Sequence, residues 1–394
     1  MSKLISIDEA RRRVLEAVQA LAAEDVPLAK ALGRVLAEDV ESPIDVPPFD
    51  SSAMDGYAVV AGPDADLEIV GESRAGRPAA ERVMPGTAIR ISTGAVLPAG
   101  ATAVVPAEAT SADDGRVRVR ASEEGDNVRR AGEDVRAGRV VLPAGTPLGP
   151  AEIGVAASVG RGSLSCSHRP RAAILVTGDE LTEPGRALRP GGIYSSNGWA
   201  LAAQVERAGG LVVRRETVPD EAAGTREALA AGLDSAGVVI VSGGVSVGPH
   251  DHVKPALAEL GVEERFWGVR LRPGKPTWFG TRGDTLVFGL PGNPVSAMVG
   301  FQLFARPALA AMQGADASAR RSRATLDEPI PRHGTREQAV RVHLEVSDDG
   351  WHARTTGPQG SHMLTSMLGA TALARIAPGE GEVPAGERVE VELL

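Results

Sequence analysis

Between residues 171 and 313, strand-like and helix-like segments alternate with a regularity that few folds accommodate. "RAAILVTG", "LVVRRETVPD", "GVVIVSGG" and "DTLVFGLPGNP" are apolar, β-branched runs of strand length. The helical patterns "NGWALAAQVERAGG", "TREALAAGLDSAG" and "DHVKPALAELG" separate them, and "VSAMVGFQLFARPALAAMQG" follows the last. A strand can be followed by a parallel neighbour only if a crossover carries the chain back to the same end. The pattern therefore predicts a central, mainly parallel sheet with helices on both faces.

The flanking segments read differently. "SIDEARRRVLEAVQALAA" predicts an amphipathic helix, with Ser6 and Glu9 at capping-box spacing and Ile7, Ala10, Val14, Val18 and Leu21 on one face. A second helix is expected around "LAKALGRVLAEDV". Short β-branched runs such as "TAIRIST", "ATAVVPAEA" and "RVRVRAS", punctuated by turn signals, then predict a small all-β module. After residue 314 the pattern is β again, with "VRVHLEVSDDGWHARTT" as a hairpin and "ERVEVELL" as a closing strand. The expected organisation is a discontinuous N-terminal linker (1–43 with 135–170), an inserted β module (44–134), the α/β domain (171–313) and a C-terminal β domain (314–394).

Composition narrows the classes of function. A net charge of -9 argues against non-specific nucleic-acid binding, which needs a basic face. A single cysteine, Cys166, excludes an internal disulfide framework and a thiolate metal cluster. No N-terminal apolar stretch follows a basic region and runs such as "GVVIVSGG" are too short to span a bilayer, so the expectation is a cytoplasmic protein without a membrane partner.

In an open α/β sheet, ligands bind beyond the carboxyl ends of the strands. Polar residues collect there repeatedly: Asp179 and Glu180 in "TGDE", Asp220 in "VPD", Ser242, Gly243, Gly244, Ser246 and Asp251 in "SGGVSVGPHD", and Asn293 and Ser296 in "LPGNPVSA". Each turn alone could be a plain helix cap. Together on one rim, carboxylates suit Mg²⁺, while hydroxyls and glycine N–H groups suit an oxyanion or phosphate. His250 and His252 flank Asp251, but an i, i+2 pair without a third imidazole is poor zinc spacing.

One lysine stands out. Of the 42 basic residues only Lys3, Lys30, Lys254 and Lys275 are lysines, and Lys275 sits in the rigid turn "RLRPGKPTWFG" between Gly274 and Pro276. An ammonium is a compact point charge, unlike the flat guanidinium fork, so this position suits a small anion; a solvated loop lysine would read the same way. Residue chemistry by itself reaches a metal-dependent enzyme acting on a phosphate-containing ligand.

Taken in order, "PPFDSSAMDGYAV", "GED", "TGDEL", "SGGVSVG", "PGKP" and "LPGNPVSA" resemble the molybdopterin molybdotransferases, the family of bacterial MoeA proteins and the gephyrin E domain, over essentially the whole chain. The resemblance implies a four-part elongated subunit with a barrel-like C-terminal domain and an obligate homodimer formed through the N-terminal linker domain. It implies a site at the subunit boundary and an Mg²⁺-dependent insertion of molybdate into adenylylated molybdopterin with release of AMP. It carries over Asp55, Thr93, Arg129, Asp134, Glu180, Asp220, Asp251, Lys275, Ser296, Arg341 and Ser361, with Glu180, Asp220 and Asp251 as metal ligands. Family members often carry a lysine three residues before Lys275, where this chain has Arg272, which leaves two basic candidates for the molybdate contact. Molybdopterin adenylyltransferase and recipient molybdoenzymes are the implied handover partners. Two alternatives remain. An adenylyltransferase would resemble residues 171–313 alone, and a gephyrin-like scaffold would have no use for the full set of acids.

Overall fold

Ser6 opens the first element as the sequence predicts. In the computed structural model, which describes residues 4–245 and 251–394, its Oγ accepts the Glu9 N–H at 3.1 Å and helix α1 runs Ile7–Glu16. Only half of the capping box forms, because the Glu9 carboxylate turns instead to Arg12 and Arg13. Ile7, Ala10 and Val14 are buried, whereas Val18 and Leu21 pack on the core from beyond the helix end. The expected second helix is absent. Residues Leu28–Lys30 make one 3₁₀ turn, and Gly33 at φ +74 breaks the helical path. Leu32, which such a helix would have buried, is exposed.

The chain divides into two compact units, each described by itself. The first comprises Asp25–Leu32 and Glu38–Leu164. Its six-stranded sheet contains β1 (Gly56–Val59), β2 (Ala65–Ser73), β3 (Thr87–Ile91), β4 (Ala103–Pro106), β5 (Thr110–Asp113) and β6 (Arg116–Val119), in the order β4-β1-β3-β2-β6-β5. Only β2 and β3 pair in parallel. Helix α2 (Pro150–Ser158) closes the unit, with the Gly149 N–H donating to Glu152 Oε2 at 2.9 Å.

The second unit, Met1–Glu24, Gly33–Ala37 and Ser165–Leu394, contains the predicted α/β sheet. Its elements are β7 (Arg171–Thr177), α3 (Asn197–Arg207), β8 (Leu211–Val218), α4 (Ala222–Ser235), β9 (Val238–Ser242), α5 (Val253–Glu259), β10 (Glu263–Trp267), β11 (Leu271–Arg272), β12 (Trp278–Arg282) and β13 (Thr285–Leu290). The long helix α6 (Pro294–Met312), interrupted by a π segment at Phe301–Ala305, follows. The sheet order is β8-β7-β9-β13-β12-β10; the first four strands are parallel, and β12 and β10 extend the sheet antiparallel. Successive residues of β7 bury on opposite faces: Ala172, Ile174 and Val176 join one apolar cluster with α1, α3 and α6, and Ala173 and Leu175 join the other with α4 and α5. Burying each such large apolar side chain contributes about 1.5–3 kcal/mol. Helix α6 has the length and apolarity of a membrane span, but 78% of it is buried inside the protein, and it serves as a core helix.

Beyond the sheet, β14 (Arg321–Leu326), β15 (Glu337–Ser347), β16 (Gly350–Thr355), β17 (Ala372–Ile376) and β18 (Arg388–Leu393) form a closed five-stranded barrel in the order β15-β16-β14-β18-β17, with β17 returning to β15. Closure leaves the barrel no free edge to pair with other chains. Strand β11 joins from the α/β side, with Arg272 in register with Gln338. Arg11 of α1 reaches into the same region: its Nη2 lies 2.8 Å from both oxygens of the fully buried Glu392, and its Nε donates to Leu303 O at 3.1 Å.

On the barrel surface His352 lies between Asp327 (2.7 Å from Nδ1) and Asp349 (2.9 Å from Nε2). Those two hydrogen bonds raise its pKa above the ordinary imidazole value. A group whose pKa is raised by folding lends stability below its unfolded pKa, about 6.5, and loses it as pH rises through the folded value. Wild type is therefore expected to lose thermal stability on passing from pH 6 to pH 8.5 by more than His352→Gln does. Equal losses in paired melting curves would exclude the contribution.

Candidate functional site

In the first unit Asp55 stands exposed just before β1, and its Oδ1 accepts the Thr93 N–H at 2.7 Å from the turn after β3. Arg129 is also exposed and pairs by its backbone with Ser51. Asp134 is fixed by its own N–H, which donates to Val46 O at 3.0 Å. Asp55 and Thr93 thus meet directly, while Arg129 and Asp134 are tied to the segment that leads into Asp55. A salt bridge between Arg130 and Asp50, at 2.8 Å, secures that segment.

In the second unit the rim turns converge as the topology requires. Asp179 Oδ1 accepts the Asp220 N–H at 3.0 Å, joining the turns after β7 and β8. Glu180 folds back over Gly178, with its Oε2 2.7 Å from where a Cβ on that glycine would stand. Gly243, at φ +98, approaches the β7 end so closely that a Cβ would lie 2.8 Å from Thr177 O. Asp251 is half-buried just ahead of α5. Ser246 and His250 lie outside the described residues.

Ser242 corrects the sequence reading. It is fully buried, its Oγ donates to Pro291 O at 3.1 Å, and it accepts Asn197 Nδ2 at 2.9 Å. Its hydroxyl proton is spent within the fold, so it braces the rim and does not present a donor to a ligand. Asn197, which sequence reasoning passed over as the start of α3, also donates to Gly292 O at 2.7 Å and so ties three turns together. An asparagine opening a helix on the ligand rim was the available signal.

Asn293 is exposed ahead of α6, and Ser296 is buried in the first turn of that helix. The Val295 N–H donates to Ser361 O at 3.1 Å, which places Ser361 against this helix start. Lys275 is exposed, and its loop is pinned by Val269 N–H to Lys275 O (3.0 Å) and by Thr277 Oγ to Gly274 O (2.8 Å), with Pro276 half-buried beside it.

Arg272 and Arg341 share the lining of a cavity of about 330 Å³ between β11 and the barrel. Arg341 is 1% exposed and donates to Ser366 Oγ (3.0 Å) and Gly360 O (3.3 Å). Among the described residues no carboxylate pairs with it, and burial pushes its pKa down to about 10. A buried cation without a counter-ion is costly unless an anion completes it. The cavity lining holds Arg272 and Arg341 together with one carboxylate, Glu328, which accepts from the Thr355 N–H at 2.8 Å.

Among the described residues no three Asp, Glu, His or Cys side chains converge as a preformed metal cluster. Mg²⁺ needs none: it keeps several waters and is commonly held by one or two carboxylates together with substrate phosphates. On this rim Glu180 is exposed, and Asp220 and Asp251 are half-buried.

Comparison with known proteins covers nearly the whole chain. Residues 5–160 match the MoeA N-terminal region (domain I and II), 173–311 a probable molybdopterin binding domain, and 323–394 the MoeA C-terminal region (domain IV). A molybdopterin molybdenumtransferase of Haemophilus influenzae is 35% identical over 99% of this chain and 98% of its own. Molybdopterin molybdenumtransferase 2 of Mycobacterium tuberculosis is 38% identical over 98% of both chains. The crystal structure of a molybdopterin biosynthesis MoeA protein from Pyrococcus horikoshii OT3 superposes with a TM-score of 0.86 at 31% identity over 100% of both chains.

Proposed function

The chain belongs to the molybdopterin molybdenumtransferase family, enzymes of molybdenum cofactor biosynthesis, and from that premise we propose that it inserts molybdate into adenylylated molybdopterin and releases AMP. Molybdopterin and molybdate are its substrates. The observation that carries the finer reading is the cavity that the exposed Arg272 and the buried Arg341 line together, in which the carboxylate of Glu328 is held by Thr355. Lys275, in the loop that β11 begins and outside that cavity's lining, offers an exposed point charge to a small anion. The backbone N–H of Gly244 is offered to phosphate oxygens, that of Gly243 being spent on Leu290 O at 3.0 Å, and the Val295 N–H, donated to Ser361 O, ties the α6 start to the turn that carries Ser361. Glu180, Asp220 and Asp251 are the residues that would hold Mg²⁺, which when bound supplies positive charge to the pyrophosphate being cleaved. Asp55, Thr93, Arg129 and Asp134 are assigned to substrate binding by the first unit, in a cytoplasmic homodimer.

The deciding experiment incubates the protein with adenylylated molybdopterin, Mg²⁺ and molybdate and follows AMP. AMP release that requires molybdate supports the reading. ATP consumption without any molybdate requirement would instead identify an adenylyltransferase.

Asp251→Asn and Glu180→Gln should each raise the Mg²⁺ concentration needed for half-maximal activity, because each exchanges an anionic ligand for a neutral one. An unchanged magnesium titration in both variants would remove these acids from the metal site.

A further inference from the structure

Where β11 runs alongside the start of β15, positive charge gathers that the local acids do not answer. Leu271 and Arg272 pair in register with Glu337 and Gln338, and the Glu337 N–H donates to Arg270 O at 3.0 Å. This sets the exposed Arg272 near the turn formed by His333 to Arg336, close enough for its charge to act on both of those side chains. His333 and Arg336 are half-buried and lie outside the lining of the Arg341 cavity. Among the described residues no carboxylate pairs with Arg272, His333 or Arg336. Of the acids on the adjoining segments, Glu337 is paired with Arg375, and Glu382 is exposed opposite Pro331. The neighbouring Arg332 donates to Ala377 O at 3.3 Å.

The turn contains a contact that no placement of protons satisfies. The N–H groups of Thr335 and Arg336 lie 3.3 and 3.2 Å from His333 Nδ1, and only an unprotonated nitrogen accepts them. The proton of the neutral ring then sits on Nε2, which stands 2.8 Å from Arg336 Nη2, itself an N–H donor. Moving the proton to Nδ1 would free Nε2 but turn Nδ1 against both backbone donors. A second proton makes matters worse, and burial with the charges of Arg336 and Arg272 holds the His333 pKa below the ordinary imidazole value. An acceptor from outside relieves the conflict by taking one bond from each confronting N–H. We propose that His333, Arg336 and Arg272 form a second oxyanion site, outside the Arg341 cavity, in which one tetrahedral dianion accepts from both N–H groups and is matched in charge by the two arginines. Arg272 belongs to both places, so an anion held here draws on charge that the cavity also uses. The site itself does not depend on the function proposed above.

The test follows the His333 ring in the full chain by proton–nitrogen correlation NMR, its signals identified by their loss in His333→Gln. Inorganic phosphate, molybdate and AMP are added in separate titrations, with sodium chloride at matched ionic strength as the control. Phosphate should shift the Nε2 signal and raise the pKa of His333, since a nearby anion favours the imidazolium. Arg336→Gln should raise the half-saturating phosphate concentration by about tenfold or more, with the thermal midpoint unchanged. Arg336→Lys, which keeps the charge, should lose less. A response at lower concentration to phosphate or molybdate than to AMP supports a site for a free oxyanion, and the reverse order supports one for the phosphate of a nucleotide. No response of His333 to any of the three, a response that sodium chloride reproduces, or an equal response in Arg336→Gln would overturn the proposal. AMP release is not read in any arm, so failure of the proposed reaction leaves this result unchanged.

Discussion

Lys275→Ala is expected to lower molybdate-dependent AMP release by a factor on the order of 10²–10³, the range for removing one preorganised charge-stabilising group. Its thermal midpoint should not change, because the side chain is exposed and its loop is pinned by backbone bonds and Thr277, not by the ammonium. Lys275→Arg should be nearly as damaging, since a flat fork cannot replace a point charge in a loop of fixed geometry. Arg272→Lys should be mild by comparison. A fully active Lys275→Arg protein would refute the argument for an ammonium.

Glu392→Gln should have the largest effect on stability, about 3–5 kcal/mol in the unit that contains it. Glu392 is fully buried and takes two bonds from Arg11, so the change strands the Arg11 guanidinium, whereas Arg375, 3.8 Å away, keeps its pairing with Glu337. By contrast, removing Glu16, whose partner Arg12 is exposed on the surface of α1, should cost about 0.5 kcal/mol or less. Replacing Arg11 and Glu392 together by methionine should recover part of the loss, because an apolar pair leaves fewer stranded charges. Equal melting midpoints for Glu392→Gln and wild type would show that the buried pair contributes nothing.

The α/β domain was legible because its strands are β-branched and its rim turns carry glycine and acid in the same few positions. Its two antiparallel strands were not. "EERFW" carries three charges in five residues, and β10 is a strand because the backbone of β12 pairs with it, not because of its own propensity. The expected helix at residues 28–40 failed at Gly33, whose left-handed conformation no periodicity records. Within the candidate site, residues exposed on the rim turns could be read in advance. Those fixed by distant partners could not: Ser242 is spent on Asn197 and Pro291, 45 and 49 residues away. Arg341 sits on a strand whose alternate residues Val340, Val342 and Leu344 fill the barrel, so alternation would send it to solvent. It is buried because Ser366 and the 358–360 turn cover it.

The two-residue strand β11 has a consequence for how such a protein could be divided. Its pairing with β15 makes the loop that carries Lys275 a seam shared by two architectures, one end rooted in the α/β sheet and the other stitched to the barrel. Deleting the last 80 or so residues would unstitch that loop and remove Arg341 with it, although every strand of the α/β sheet would remain. The shortened protein would also lose Glu392 and leave Arg11 without its buried partner, so it should be less stable as well as without the Arg341 cavity. Gene fusions or domain exchanges that break the chain after α6 should therefore keep the acidic rim and lose the Arg272–Arg341 cavity, so that under the proposed function the barrel is part of the site and not an accessory.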